Sequence, residues 1–553
     1  MSLAELTKLL EVGENRRIEF KRQLTSNDLV NEARKQKLIA QLKYITAEDE
    51  GIFLVGVEDF HGESWKVHGL TQSEISTAEE VLNILCKEAA LEIAEKEFFK
   101  TKDGLVEKFI LVKRPIFAES QETIGINIAG RVNAGKSTLI GVLTGGELDD
   151  GRGSARSSLL KHPQEIEGGQ TTDLHVTFLG FNSKDEPILR KRPTDIEEIA
   201  RILEQSKRLV VFYDAPGHSI YVKTMIRSIL GADAQFAMVL IPALDEYELI
   251  LSEELKTKLT RLDDNTREHL LLLAGQCIPF MIVISRGDLA TGEQKEKVIQ
   301  VTKDTLKSMG RVPLLVKDDV GLEVACREMS RNILVPVLEV SAVTGEGIDE
   351  LRKTLSMLPT RISDEVFSRP ALAYIDKIYR GIRGTNVVVT GSVRQGIFKP
   401  GQKVKVGPDT QGKFVEGRIA TVEIFKSRVQ RVKAGDSFGF DIKRVSPAAV
   451  RRGQVISDID ADLNAKWCFE ADVLVTRHPT RIAEGYSPVL QCNTIHQTVI
   501  FERIYDKRYL VVGDAAKVRL RFTRRPEYLI SGDRIVTREA STRTIGTITK
   551  IVE

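Results

Sequence analysis

Cysteine is scarce in this 553-residue chain: Cys86, Cys277, Cys326, Cys468 and Cys492 lie far apart and form no CxxC pair. An odd, scattered set argues against a disulfide framework and against a thiolate zinc site. Long apolar runs are missing too, and none approaches the ~20 residues that cross a bilayer. The opening MSLAELTKLLEVGENRR carries acidic residues where a secretory signal would carry an apolar core. No internal repeat or low-complexity tract occurs, and no disordered tail is expected. A cytoplasmic setting, no membrane partner and a monomer are the expectations.

Net charge is also small, at +2, but unevenly spread. Residues 361–553 hold 34 Lys/Arg against 21 Asp/Glu, a balance of +13, whereas 1–360 is negative by 11. That asymmetry suggests a polyanionic partner for the C-terminal part, nucleic acid among the options; basic residues solvating a β-rich surface are the plainer alternative.

Patterning divides the chain into four. Residues 1–115 read as a small α/β domain, with strands at Gly51–Asp59 and Lys108–Arg114. A helix is expected over Thr77–Phe98, with Thr77 as N-cap and Glu80 three residues on. Residues 120–362 alternate apolar strands (TIGINIAG, HVTFLGF, RLVVFYDA, QFAMVLIPA, FMIVIS, VPVLEVS) with amphipathic helices, which predicts a mostly parallel sheet covered on both faces. Arg190–Arg208 and Leu244–Asn265 read as helical segments longer than a minimal domain of this kind requires. Short β-branched runs between glycine turns then predict two all-β barrels, at 366–458 and 464–553.

The chemistry sits in the second part. Strand TIGINIAG runs into Gly130-Arg-Val-Asn133-Ala134-Gly135-Lys136-Ser137-Thr138 and a helix, a phosphate loop in its strand–loop–helix setting. Backbone amides there close around phosphate oxygens, Lys136 reaches the β- and γ-phosphates, and the Ser137 hydroxyl ligates Mg²⁺. Asp214-Ala-Pro-Gly217-His218 ends a later strand: Asp214 suits Mg²⁺, the Gly217 amide suits the γ-phosphate, and His218 stands where an attacking water is oriented. Within Gly168–Thr172, Thr171, or alternatively Thr172, would complete the Mg²⁺ shell and sense the γ-phosphate. Ser285-Arg286-Gly287-Asp288 supplies a carboxylate that accepts from guanine N1–H and the 2-amino group, donors adenine lacks. Ser341-Ala342 supplies an amide for guanine O6. All follow strand ends in the order expected of such sheets.

Assembled, these motifs resemble a translational GTPase of the elongation factor Tu and elongation factor 1-alpha superfamily. DAPGH (214–218), TREHL (266–270), Gly384–Val404, Gly485–Thr498 and Arg538–Ile551 carry the likeness. Gly141–Thr171 and Leu179–Glu186 resemble the GTP-binding protein 1 family within it, in an archaeal-like form. The resemblance implies GTP/GDP and Mg²⁺ as ligands, GTP hydrolysis with His218 positioning water, a ribosome partner, and aminoacyl-tRNA or another RNA as cargo. A rescue or surveillance GTPase carrying a protein cargo, or a non-translational GTP-gated regulator, is the alternative. Arg519, Arg521, Arg524 and Arg525 are phosphate-contact candidates. Two departures stand out: Ser285-Arg286 replaces the superfamily's Asn-Lys, and Asn133 sits in the phosphate loop. GENRRIEFK also resembles Schlafen-like proteins, where Glu14 and Glu19 would serve a metal-dependent nuclease; a non-catalytic docking domain is the favoured reading.

Overall fold

The computed structural model describes residues 3–47, 50–60, 64–89, 91–113, 122–157, 174–192, 195–215, 226, 229–231, 234–244, 262–382, 385–539 and 542–552. The chain divides into two compact units, Met1–Pro115 and Ile116–Glu553.

In the first unit, strand Ile18–Lys21 pairs in parallel with Glu50–Val55. That strand pairs antiparallel with Gly104–Lys113, and Leu91–Thr101 completes the sheet. Helices Glu32–Ile45 and Gln72–Glu88 pack on it through Leu42, Leu82 and Leu85 against Phe53 and Phe109, all fully buried. The helix expected over Thr77–Phe98 is corrected at both ends. It starts six residues earlier, capped by Thr71, whose backbone N–H donates to Glu74 in a capping box. The Thr77 hydroxyl instead donates inside the helix, to the Ser73 carbonyl. Beyond Glu88 the chain is strand, because Leu91–Thr101 folds back on Gly104–Lys113 about the Lys102-Asp103-Gly104 turn. Cross-strand pairing outweighs the helical propensity of LEIAEKEF.

The second unit opens with an eight-stranded sheet. Its order is Val312–Leu315, Leu334–Glu339, Phe280–Ser285, Phe236–Pro242, Glu122–Ala129, Arg208–Asp214, His175–Phe181, Pro187–Ile188. The first six strands are parallel; His175–Phe181 runs antiparallel to Arg208–Asp214, and Pro187–Ile188 antiparallel to His175–Phe181. Central strands are buried on both faces, which is why they read as unbroken apolar runs. Edge strands Val312–Leu315 and Pro187–Ile188 are only four and two residues long and incompletely buried, too short for a pattern to be legible. The helix expected across Arg190–Arg208 is confined to Ile196–Gln205, capped by Asp195, and Arg208 already begins a strand. Of Leu244–Asn265, residues 245–261 lie outside the described residues; helix Asp264–Gly275 follows, capped by Asp263.

Two β-barrels complete the unit. In the first, strands between Leu372 and Asp458 close when Lys403–Gly407 pairs with both Val415–Ile424 and Val455–Asp458. The second is a closed six-stranded barrel from Cys468 to Ile551. One apolar core runs from the sheet (Phe178, Val211) and helix Ile196–Gln205 (Ile202) into the first barrel (Val389, Phe438). Polar bonds tie the same domain to both barrels: the Thr123 hydroxyl donates to Asp436 of the first at 2.6 Å, and Gln276 Nε2 donates to the Ile535 carbonyl of the second at 3.3 Å. Among the described residues no helix is long and apolar enough to cross a membrane.

Candidate functional site

The phosphate loop leaves the C-terminal end of the central strand, where parallel sheets place ligands. Gly130 is required there: its φ is +135°, and a Cβ would lie 2.6 Å from the Leu240 carbonyl oxygen. Asn133 (φ 61°) and Gly135 (φ 81°) continue the loop in left-handed conformation, and Gly135 starts helix Lys136–Gly145. Asparagine tolerates that backbone better than most side chains, a reason for Asn133 at this point.

Lys136 is buried and arches back over the loop, donating to the Arg131 carbonyl at 2.9 Å and the Gly130 carbonyl at 3.2 Å. Burial pulls its ammonium below the ordinary lysine range, and nearby Asp214 opposes that. Ser137 Oγ donates to Asp214 Oδ2 at 2.6 Å. A hydroxyl beside a carboxylate, both oxygen donors, is a set that fits Mg²⁺. Thr171, Gly217 and His218 lie outside the described residues.

The base-recognition elements converge on the same cleft, whose volume is about 270 Å³. Asp288 is exposed to it, and its Oδ1 accepts from Ser341 Oγ at 2.7 Å. Ser341 Oγ in turn accepts the N–H groups of Val343 and Thr344. Since the Ser341 N–H donates to the Glu346 carbonyl, Ala342, which lines the cleft, is the better placed amide for a ring carbonyl. Ser285 is buried and donates to the Ala134 carbonyl at 2.8 Å, while Arg286 reaches the Asn133 carbonyl at 3.2 Å. Both residues that replace Asn-Lys therefore tie the base-recognition loop to the phosphate loop.

Two residues given no role from sequence belong to this site. His269, inside TREHL, is buried, and its Nδ1 accepts the Gly130 N–H at 3.2 Å. An accepting Nδ1 requires the neutral Nε2–H tautomer. Burial, then the nearby Lys136 cation, pushes the imidazole down to about 4, with Asp263 opposing. The unfolded chain thus binds more protons between the ordinary 6.5 and about 4, so stability falls as pH drops through that window, by roughly 3 kcal/mol at the limit. His269→Asn, whose side-chain oxygen reproduces the Nδ1 acceptor, is expected to melt like wild type at pH 7 and better than it at pH 5. The second is Asp149, discussed below. Its only sequence signal was membership of the Gly141–Thr171 motif.

Elsewhere the sequence candidates are committed to neighbours. Arg519 and Arg521 pair with Glu502, and Arg525 with Glu527, which leaves Arg524 exposed. Glu14 accepts the Phe20 N–H at 2.8 Å and Glu19 pairs with Lys21. No group of three His, Cys, Asp or Glu placed to hold a metal occurs among the described residues.

Comparisons with known proteins agree with this architecture. The elongation factor Tu GTP binding domain model matches residues 121–360, and the elongation factor Tu domain 2 model matches 386–457. The chain is 29% identical to GTP-binding protein 1 of Xenopus laevis over 523 residues, covering 93% of this chain and 76% of that protein. It is 29% identical to GTP-binding protein 2 of Homo sapiens over 557 residues, covering 98% and 87%. Against elongation factor 1-alpha of Sulfolobus acidocaldarius it is 28% identical over 374 residues, covering 67% and 79%. Among solved structures, bacterial selenocysteine-specific elongation factor EF-Sec superposes with a TM-score of 0.53 at 19% identity, over 76% of this chain and 57% of that one, so this chain spans under two thirds of its length. Translation elongation factor SelB from Methanococcus maripaludis, in complex with the GTP analogue GppNHp, gives 0.52 at 19% identity, over 79% and 80%. At that identity the likeness concerns the fold.

Proposed function

Because the chain belongs to the elongation factor Tu and elongation factor 1-alpha superfamily of translational GTPases, we propose that it binds GTP with Mg²⁺, hydrolyses it on the ribosome, and delivers an RNA cargo. The observation that carries the nucleotide reading is convergence. Gly135 and Thr138, Ser285 and Asp288, and Ala342 follow three different strand ends and line one cleft, while Ser137, next to Thr138, bonds to Asp214 from a fourth.

In this reading the amides of Asn133 to Thr138 and the Lys136 ammonium hold the β- and γ-phosphates. Ser137, Asp214 and Thr171 hold Mg²⁺, which when bound neutralises charge developing on those phosphates. His218 orients a water in line with the γ-phosphorus. The water's oxygen bonds to phosphorus as the bond to the β-phosphate bridging oxygen breaks, giving GDP and phosphate. Thr171 then loses the γ-phosphate it senses, and its loop is released.

The +13 balance of residues 361–553 supports RNA as cargo. One observation favours a protein cargo instead: three of the four candidate arginines on the second barrel are already ion-paired.

The test is GTP hydrolysis by the purified full chain with and without ribosomes from the matching source. Free GTPases of this class are slow, and activators are worth ~10³–10⁵ in rate. Large stimulation is expected, and His218→Ala should abolish it while sparing GTP binding. Tight GTP binding with no stimulation would overturn the ribosomal part, and absence of RNA binding at low salt would overturn the cargo.

A further inference from the structure

A third wall of the nucleotide cleft comes from residues 149–156, between the phosphate-loop helix and the Gly168–Thr172 segment. Asp149 organises it. Its carboxylate accepts the N–H groups of Gly151, Gly153 and Ala155 at 2.9, 3.1 and 3.0 Å, and its own N–H donates to the Ala342 carbonyl at 2.9 Å. One residue thereby joins this wall to the base-recognition loop. On the other side, the short helix Ser154–Ser157 presses on helix Lys136–Gly145. A Cβ at Gly141 would come within 2.2 Å of the Ala155 carbonyl oxygen, so the approach depends on glycine.

The wall presents Arg152 and Arg156 to the same cleft as Gly135 and Thr138 of the phosphate loop. Among the described residues, no carboxylate pairs with either guanidinium. Asp149 is occupied by its own loop, and Asp288 faces the base-recognition end. The cleft lining, which includes neither Lys136 nor the Ser137 and Asp214 pair, thus carries Arg152 and Arg156 as cations additional to the phosphate-loop lysine.

We propose that Arg152 and Arg156 bind the non-terminal phosphates of the guanine nucleotide, and that Asp149 is a positioning residue holding them there, so that residues 149–156 govern nucleotide release. This rests on the GTP-binding reading above. Because neither arginine serves the γ-phosphate, GDP and GTP are retained alike, and the basal exchange rate is set by the protein itself.

The experiment is stopped-flow release of a fluorescent GDP and a fluorescent non-hydrolysable GTP analogue from the full chain. Both arginines are solvent-accessible, so their removal leaves the fold intact. Arg152→Ala and Arg156→Ala are each expected to speed release about tenfold, the worth of one charge-assisted hydrogen bond. The factor should be equal for both nucleotides, with the affinity for guanosine, which has no phosphate, unchanged. Asp149→Asn should speed release in the native background but add little to the double arginine variant, a non-additivity that a merely structural role would not produce. Unchanged release from the double variant would overturn the proposal, as would guanosine affinity falling in parallel. If the native chain binds neither nucleotide, the GTP-binding reading itself fails, a separate result read before any variant is made.

Discussion

Asp288→Asn is expected to lower GTP affinity by about two to three orders of magnitude and to move preference toward xanthosine triphosphate. The carboxylate offers two acceptors to the N1–H and 2-amino donors of guanine, and charge-assisted hydrogen bonds are worth about 1.5–3 kcal/mol each. Asparagine keeps one acceptor and turns an NH₂ toward the guanine amine, so two donors meet and one is orphaned. Xanthine carries a carbonyl at that position and accepts from the new amide. The hydrogen bond from Ser341 Oγ fixes the rotamer of Asp288 before nucleotide arrives, so Ser341→Ala should reduce discrimination less than Asp288→Asn does. Competition binding with GTP, XTP and ATP decides it. An unchanged preference for GTP over ATP in the asparagine variant would remove Asp288 from base recognition.

Glu527→Ala is expected to cost about 3–5 kcal/mol of stability, the usual penalty for leaving a buried partner charge uncompensated. Glu527 is fully buried between the two barrels. Its oxygens accept from Arg451 Nη2 at 2.8 Å, Arg525 Nε at 2.9 Å and Gln497 Nε2 at 3.0 Å. Arg451 comes from the first barrel and also donates to the Pro408 carbonyl, so the pair fixes one barrel on the other. Burial raises the Glu527 carboxyl and lowers the Arg451 guanidinium in spite of their mutual attraction, which marks desolvation as the larger effect on each. The double replacement Arg451→Met with Glu527→Leu should therefore cost far less than either single change. Urea unfolding of the three variants measures the coupling; additive losses would show that the two residues act independently.

Legibility followed locality. Strand His175–Phe181 coincides with its apolar run because a strand buried on one or both faces writes that burial into adjacent residues. The phosphate loop was readable for the same reason: its function needs glycines, a lysine and a serine within nine positions. Asp288 and Ser341 were readable by their order after strands, although 53 residues separate them. The Thr77–Phe98 segment shows where this fails. Its first half repeats at helical spacing, while its second half is strand only because Gly104–Lys113 lies beside it.

Apolar periodicity and short motifs, both encoded in neighbouring residues, set the fold class, the superfamily and the phosphate- and base-binding candidates from sequence. Tertiary structure decided what joins them. His269 reaches Gly130 across 139 positions, Ser285 reaches Ala134 across 151, and Asp149 bonds to Ala342. Those bonds depend on how strands order in the sheet, and a single histidine, serine or aspartate in a sequence carries no trace of the partner that folding places beside it.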